Sequence, residues 1–314
     1  MHFKFKLGYI INMNWLSISL ISVAMFSLVT IIDKRLIVTH FPSASSFNAS
    51  VGIWNLISGL IVLVFVLPIY GVPSIQAVLI SLFAGVLWAG GLSLFFYSLR
   101  FEEVSRATSL WMTAPIFSSW VAVSFFGEKL NTMQWFAIAS VVIGALMMSF
   151  KPVKDGGVKF DRKALLVLSL ASFVTGLAFV INKEATNLTD VWTTHGVRNI
   201  SMGLGLFAFS YKKGVISDAW GALKNFRAMM LFGFAELLLA SIAAFLVVVA
   251  LNMGPASLVA TVSSTRPLLV LILGVSMSTK YFNVLGETID RDSLLVKFAA
   301  TLIIVTGVSI LALA

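Results

Sequence analysis

The chain has 314 residues, of which 59% are hydrophobic and only 11% charged, and its mean hydropathy is +0.99. A soluble surface takes about 25% charged residues, so the outside of this protein lies in lipid. Cysteine is absent, which excludes a disulfide framework, a thiol nucleophile and a thiolate metal site. His2, His40 and His195 are too scattered for zinc, and no cofactor is expected. The net charge of +9 sits in short loops between apolar runs, the pattern of a membrane protein rather than of a nucleic-acid face.

In chain order, Lys4 and Lys6 precede the first apolar run as in a signal peptide. No small-residue cleavage site follows before Asp33, so an uncleaved first span is expected. A spanning helix takes about 20 mostly apolar residues. Ten runs qualify: 15–32, 47–69, 74–98, 104–126, 133–150, 164–181, 192–211, 229–251, 256–277 and 294–313. They are too long and too continuous for barrel strands, which alternate polar and apolar over about 10 residues. Gly85 with Ala89, and Ala240 with Ala244, have the spacing of close helix packing.

The chain is written twice. Asp33-Lys34 returns as Asn182-Lys183, residues 54–60 return as 198–204, and residues 97–115 match 249–267 without a gap. Leu99 falls over Leu251, Ser105 over Ser257 and Pro115 over Pro267. Gly127-Glu128 returns as Gly286-Glu287 and Gly144 as Gly307, although the second copy carries 11 extra residues between its proline and that glycine. Five spans per half is an odd number, so the second half enters the membrane upside down. The expected architecture is an all-α integral membrane protein of ten transmembrane helices in two inverted five-helix repeats. The first occupies 1–150, a polar linker 151–163, and the second 164–314. Duplicated membrane proteins bind between their halves, which points to a transporter.

An ionisable residue at the bilayer centre costs at least about 2.5–3.5 kcal/mol on insertion scales, so those inside spans are the first candidates. Arg198 and Arg266 have the guanidinium forks that fit a carboxylate or phosphate. Glu236 reads as a counter-ion or proton site, and the competing reading is an Arg198–Glu236 ion pair that only pins two helices. His195, three residues from Arg198, reads as interfacial. Pro115 and Pro267 occupy matching places in the fourth and ninth spans, where each frees a carbonyl and makes a candidate hinge. Trp54, Asn55 and Asn199 share the faces that mirror Arg198. Trp88 and Trp111 are candidate cavity walls. Lys34 and Lys183 correspond and are carried as candidates, though a lysine just past a span commonly snorkels.

These residues resemble the EamA-type branch of the drug/metabolite transporter superfamily over nearly the whole chain. The first repeat ends with Pro115, then Phe125-Phe126-Gly127-Glu128-Lys129-Leu130, then Gln134-Trp135 and Ile143-Gly144; the second has Pro267, Gly286-Glu287 and Gly307. The family often carries an arginine in the second span of a repeat, which this chain matches at Arg198 and departs from at Trp54. The resemblance implies a basket of ten helices around a central cavity, alternating access, and small metabolites or amino acids as cargo, often exported. Arg266 lies outside the family pattern and so bears on this member's specificity.

The reading is a secondary-active transporter of a small polar metabolite, an amino acid or organic anion, with the lipid bilayer as solvent and a coupling proton or ion as partner. No nucleotide-binding loop is present, so uphill transport uses an ion gradient or exchange. The alternatives are a multidrug or cation exporter working through Glu236, an intramembrane lipid-modifying enzyme, and a non-transporting scaffold or receptor. The enzyme would need acids or histidines clustered at one interface. Glu102-Glu103 with Arg100 and Arg106 is the one such cluster, and it reads as a solvated loop.

Of the 22 lysines and arginines, 16 fall in loops after odd-numbered spans, four lie at the N-terminus or in even loops, and Arg198 and Arg266 lie within spans. The positive-inside rule puts the odd loops in the cytoplasm and both termini outside, opposite to what the resemblance implies. The expected compartment is a prokaryotic plasma membrane. A C-terminal epitope tag is therefore expected to be reached by antibody on intact cells; labelling only after permeabilisation would reverse the orientation.

Overall fold

Polar caps set the helix starts between apolar runs. The computed structural model describes residues 14–148, 162–276 and 291–313. Lys4 and Lys6, residues 151–161 of the linker, and Gly286-Glu287 with the extra segment around them lie outside the described residues. In the first half, α1 (Trp15–Arg35) starts where Asn14 accepts from the Ser17 amide, and it runs on through a π-helical turn, Leu36–His40. A Ser43–Ser46 capping box opens α2 (Ala44–Tyr70), and Ser74 caps α3 (Ile75–Ser98). The half ends with α4 (Val104–Trp111), α5 (Pro115–Phe126) and α6 (Thr132–Met148).

The second half begins with α7 (Arg162–Leu188). Asp190 then accepts from the Trp192 and Thr193 amides at 2.9 Å to open α8 (Val191–Phe209). It continues with α9 (Val215–Leu223), α10 (Phe226–Phe232), a π-helical segment Gly233–Ala240, α11 (Ser241–Met253), α12 (Ala256–Ser263), α13 (Arg266–Ser276) and α14 (Arg291–Leu313). No strand occurs among the described residues.

Seven helical segments among the described residues are long and apolar enough to cross a membrane: Trp15–His40, Ala44–Tyr70, Ile75–Ser98, Val104–Phe126, Arg162–Leu188, Phe226–Met253 and Ala256–Gly274. Thr132–Met147 and Phe298–Leu311 are apolar but shorter. The 19-residue α8 falls outside these seven for a compositional reason. It turns Thr193, Thr194, His195, Arg198, Asn199 and Ser201 into the protein interior, so its mean hydropathy drops while its length suffices. Large side chains such as Phe65, Ile69 and Leu166 face outward, as lipid requires.

Packing is intimate where glycines meet. Helix α2 lies along α8, α3 along both α7 and α8, α6 along α14, and α1 along α11 and α13. A Cβ placed on Gly203 would stand 2.6 Å from the Gly52 carbonyl, and one on Gly59 would stand 2.7 Å from the Gly196 carbonyl, so no side chain fits on either face. Such approach gives two helices dispersion contact that lipid cannot supply. At one end a ring cluster closes the bundle: Phe47 meets Phe41 at 5.2 Å, Phe96 at 4.9 Å and Phe232 at 6.0 Å.

The segments 104–126 and 256–276 are each two helices. Met112 to Ala114 separate α4 from α5, and Ser264 and Thr265 separate α12 from α13. Pro115 and Pro267 stand at the first turn of the second piece, where a missing N–H costs nothing. The Gly127-Glu128 pair acts as a joint: Gly127 ends α5 in the left-handed region at φ 67°. Glu128 accepts from the backbone amides of Ala256 and Ser257 and from the Ser257 hydroxyl, at the start of α12. Burial pushes the Glu128 carboxyl above its ordinary value, against those donors, which lower it.

Replacing Gly203 with leucine is expected to force α2 from α8 and lower stability by about 1–3 kcal/mol, the usual cost of overpacking. Gly221→Ala, in open space, is expected to be neutral or slightly stabilising. Thermal unfolding in detergent measures both.

Candidate functional site

A central cavity lies among α1, α2, α3, α4, α7, α8, the π segment, α11 and α13. It offers about 80 Å³ to the centres of water molecules, room for roughly half a dozen waters at ~10–15 Å³ each. Eight of the ten residues singled out as binding candidates line it: Arg198, Arg266, Glu236, Trp54, Asn55, Asn199, Trp88 and Trp111. Ala240 and Ala244 also face it, so in the second half the small residues make room rather than a helix seam.

Arg198 and Arg266 are 2% and 6% exposed. The Arg198 guanidinium donates to Asn199 Oδ1 at 3.0 Å and lies 3.2 Å from His195 Nδ1, both on its own helix. His195 is thus buried, not interfacial; its ring meets Phe245 edge-on at 5.4 Å, and its Nε2 lies 3.1 Å from the Asn199 amide nitrogen. Arg266 is the first residue of α13, so the helix break delivers it to the cavity. Its guanidinium sits over the Phe26 ring at 4.5 Å and the Trp111 ring at 5.3 Å. The Nε atoms of both arginines are buried without a hydrogen-bond partner. No carboxylate pairs with either at ion-pair distance among the described residues, and the expected Arg198–Glu236 bridge is not formed.

The walls are aromatic and fixed. Trp111 donates to Thr175 Oγ1 at 2.8 Å and stacks on Phe95 with centroids 4.2 Å apart. Trp54 donates to Ser241 Oγ at 2.8 Å, which ties α2 to α11. Trp88 meets Phe179 at 5.0 Å, and its buried indole nitrogen has no partner. Asn55 donates to the Val51 carbonyl and lines the cavity from α2.

Sequence reasoning passed over Asp33. It lies three residues before the π turn that follows α1, is 3% exposed and lines the cavity. Its carboxyl group is hydrogen-bonded to that of Glu236, which is 5% exposed on the π segment, and its charge acts on Arg266. The signal was present: the first span runs to His40 rather than Ile32, so Asp33 is interior.

Lys34 and Lys183 lie off the cavity, at the loops that precede the two broken spans. Lys34 is 6% exposed and donates to the Leu99 carbonyl at 2.5 Å and the Glu102 carbonyl at 2.8 Å. Half-buried Lys183 reaches the Asn252 carbonyl at 3.3 Å. The Glu102 cluster is no solvated loop: Glu102 and Arg106 are buried and paired at 2.7 Å, and Arg100 donates to the Ile37 and Phe41 carbonyls.

The model of the EamA-like transporter family matches residues 13–150. No curated protein matches the chain. One solved crystal structure covers 95% of this chain and 96% of its own with a TM-score of 0.55 at 15% identity, a likeness of fold over the whole length. Residues 13–150, which supply Asp33, Trp54, Trp88 and Trp111 to the cavity, are therefore the part of this integral membrane protein that is similar to the EamA-like transporter family, whose members move small molecules.

Proposed function

We propose that the protein is a secondary-active transporter that carries a small polar metabolite, an amino acid or organic anion, by alternating access. One observation carries the substrate class: two buried arginines, Arg198 and Arg266, share a cavity with no carboxylate paired to either among the described residues. Leaving a guanidinium buried and unpaired costs several kcal/mol, and an anionic group of the cargo recovers it through charge-assisted hydrogen bonds. Asn55 and Asn199 add polar contacts, Glu236 suits the ammonium of a zwitterion, and Trp54, Trp88 and Trp111 enclose an apolar remainder. The small free volume favours a metabolite over a large drug.

The architecture behind this reading is ten spans, the seven apolar segments with α6, α8 and α14, in two inverted repeats, 1–150 and 164–314, joined by the linker 151–163. Packing supports it. Helices α4 and α5 pack on α7 as α12 and α13 pack on α1, and α4 packs on α13 as α12 packs on α5. Helices α2 and α8, and α6 and α14, pair with their own counterparts.

One departure from this symmetry supports alternation. Helix α3 packs along both α7 and α8, whereas α11 packs along α1 but not along α2, where the Trp54–Ser241 hydrogen bond joins them instead. The lysines differ in the same sense, Lys34 with two short bonds in a buried latch and Lys183 with one long bond at a half-open end. We read this as one state of a rocking cycle, with bending at the breaks before Pro115 and Pro267. In the other state α3 leaves α8, α2 closes on α11, and the two latches exchange roles.

A second reading, export of lipophilic cations, draws on the paired acids Asp33 and Glu236 beside aromatic walls. Thermal stabilisation of the purified protein against amino acids, organic acids, sugar phosphates and lipophilic cations separates the two. A ligand at a hundredfold excess over Kd is expected to add about 2.7 kcal/mol. Stabilisation by an acid-bearing metabolite that disappears in a folded Arg266→Ala variant is the expected result; stabilisation by cations alone makes Glu236 the binding group.

Cargo flux into proteoliposomes tests the rocking. The chain has no cysteine, so an Ala89→Cys/Gly205→Cys pair, at a close contact of α3 and α8, forms the only disulfide. Flux is expected to stop on oxidation and to recover on reduction, and flux that ignores the cross-link refutes motion at this interface.

A further inference from the structure

We propose that Asn182 lines the cavity when it opens to the opposite face of the membrane, and that in the present state this residue is stored behind Phe179. The proposal rests on the rocking reading above and adds a site residue that the present cavity does not contain.

The two halves match without a gap at this place. Residues 26–34 fall over 175–183, with Leu28 over Leu177, Asp33 over Asn182 and Lys34 over Lys183. In α1, Phe26, Val29, Thr30 and Asp33 have the spacing of one helix face, and all four line the cavity. The matching face of α7 is Thr175, Ala178, Phe179 and Asn182. Of these four, Phe179 alone lines the cavity, and the other three are 0% exposed. Phe179 meets Trp88 edge-on at 5.0 Å and belongs to an apolar cluster with Val121 of α5, Val247 and Leu251 of α11 and Val259 of α12. Asn182 lies one turn further along α7, beyond that aromatic contact.

A primary amide carries two N–H donors and an acceptor oxygen. Neither the nitrogen nor the oxygen of Asn182 has a partner in the protein. Buried polar groups are nearly always paired, and an unpaired one costs the full loss of its hydration. Leucine has nearly the same size and escapes that cost, so packing alone does not account for an asparagine here. The cost falls on the present state, and it vanishes in any state where water or a polar cargo reaches the amide. A neutral amide suits a group that is dry in one state and wet in the other, because a carboxylate at the same place would be far costlier to bury.

The helix contacts give the change of state. Helix α3 packs along α7 and α8, while α11 packs along α1 and stays apart from α2. When α3 leaves α8 and α11 closes on α2, the second half takes up the arrangement that the first half has now. The α7 face then stands as the α1 face stands here, and Asn182 holds the place of Asp33. Cargo meets a carboxyl group at this place from one side of the membrane and an amide from the other.

The absence of cysteine allows a direct test on the full chain in proteoliposomes, with a charged methanethiosulfonate as a probe of water-lined thiols. Ala89, 0% exposed where α3 meets α8, reports the parting of those helices in an Ala89→Cys variant. Asn182→Cys is expected to react. Its reaction, read at position 182 by mass spectrometry, is expected to stop when an Ala89→Cys/Gly205→Cys disulfide is closed in the same chain and to return on reduction. Asp33→Cys is expected to react whether or not that disulfide is closed. Reaction at position 182 that persists under the cross-link overturns the proposal, as does an inert Asn182→Cys in a protein whose Ala89→Cys reacts. Should Ala89→Cys be inert too, the rocking reading is what fails, and this inference falls with it. Asn182→Leu tests the amide itself. It is expected to raise Tm and to slow the reaction of Ala89→Cys about tenfold, because leucine relieves the present state alone. A raised Tm with an unchanged rate at Ala89→Cys shows an amide equally unpaired in both states and refutes the proposal.

Discussion

Two guanidinium groups enclosed by a protein that itself lies in hydrocarbon are the constraint on which the rest of this structure depends. Both are buried, and among the described residues neither is paired to a carboxylate. Such a charge is tolerable only inside a polar lining that solvates it partly. Arg198 draws on His195 and Asn199 from its own helix, which makes α8 too polar to face lipid and obliges α2 and α3 to cover it. Arg266 draws on the π faces of Phe26 and Trp111, an attraction worth about 2 kcal/mol or more when desolvated. The aromatic walls are thus electrostatic parts as well as apolar ones.

The same requirement explains why irregular backbone gathers at the cavity. A continuous helix over residues 256–276 would carry Arg266 on a face of the preceding turn's choosing. The break at Ser264 and Thr265 lets α13 begin anew with the arginine in its first turn. The π segment does likewise for Glu236. Lipid allows no unsatisfied backbone on the outside, so departures from the α-helix are confined to where protein or cavity water covers them. Around them the scaffold is stiff: glycine seams between α2 and α8, and the Glu128 carboxylate fastened to the start of α12.

Most of the cavity was legible because charge in an apolar run has few explanations. Arg198, Arg266 and Glu236 stood out on cost alone, and the tryptophans followed from their spans. The failures share one cause, a span edge drawn by composition. Asp33 sat next to Lys34 and was taken for the end of the first helix, although that helix continues to His40. Glu102 and Arg106 were assigned to a solvated loop for the same reason and are buried. Composition sees that a segment is polar; it does not see whether another helix covers it. The break before Arg266 and the π turns have no compositional mark at all beyond Pro115 and Pro267.

The likeness in sequence between the two halves does not extend to the residues that line the cavity. The counterpart of Asp33 is Asn182, buried with both amide atoms unpartnered, and the counterpart of Arg198 is Trp54. The first half supplies three tryptophans and one acid to the cavity, and the second supplies both arginines and the other acid. A symmetric site would have doubled each charge, putting two like-charged groups across a small volume of low dielectric, which opposes occupancy of either. The two halves keep matching helix contacts while the residues they turn into the cavity differ.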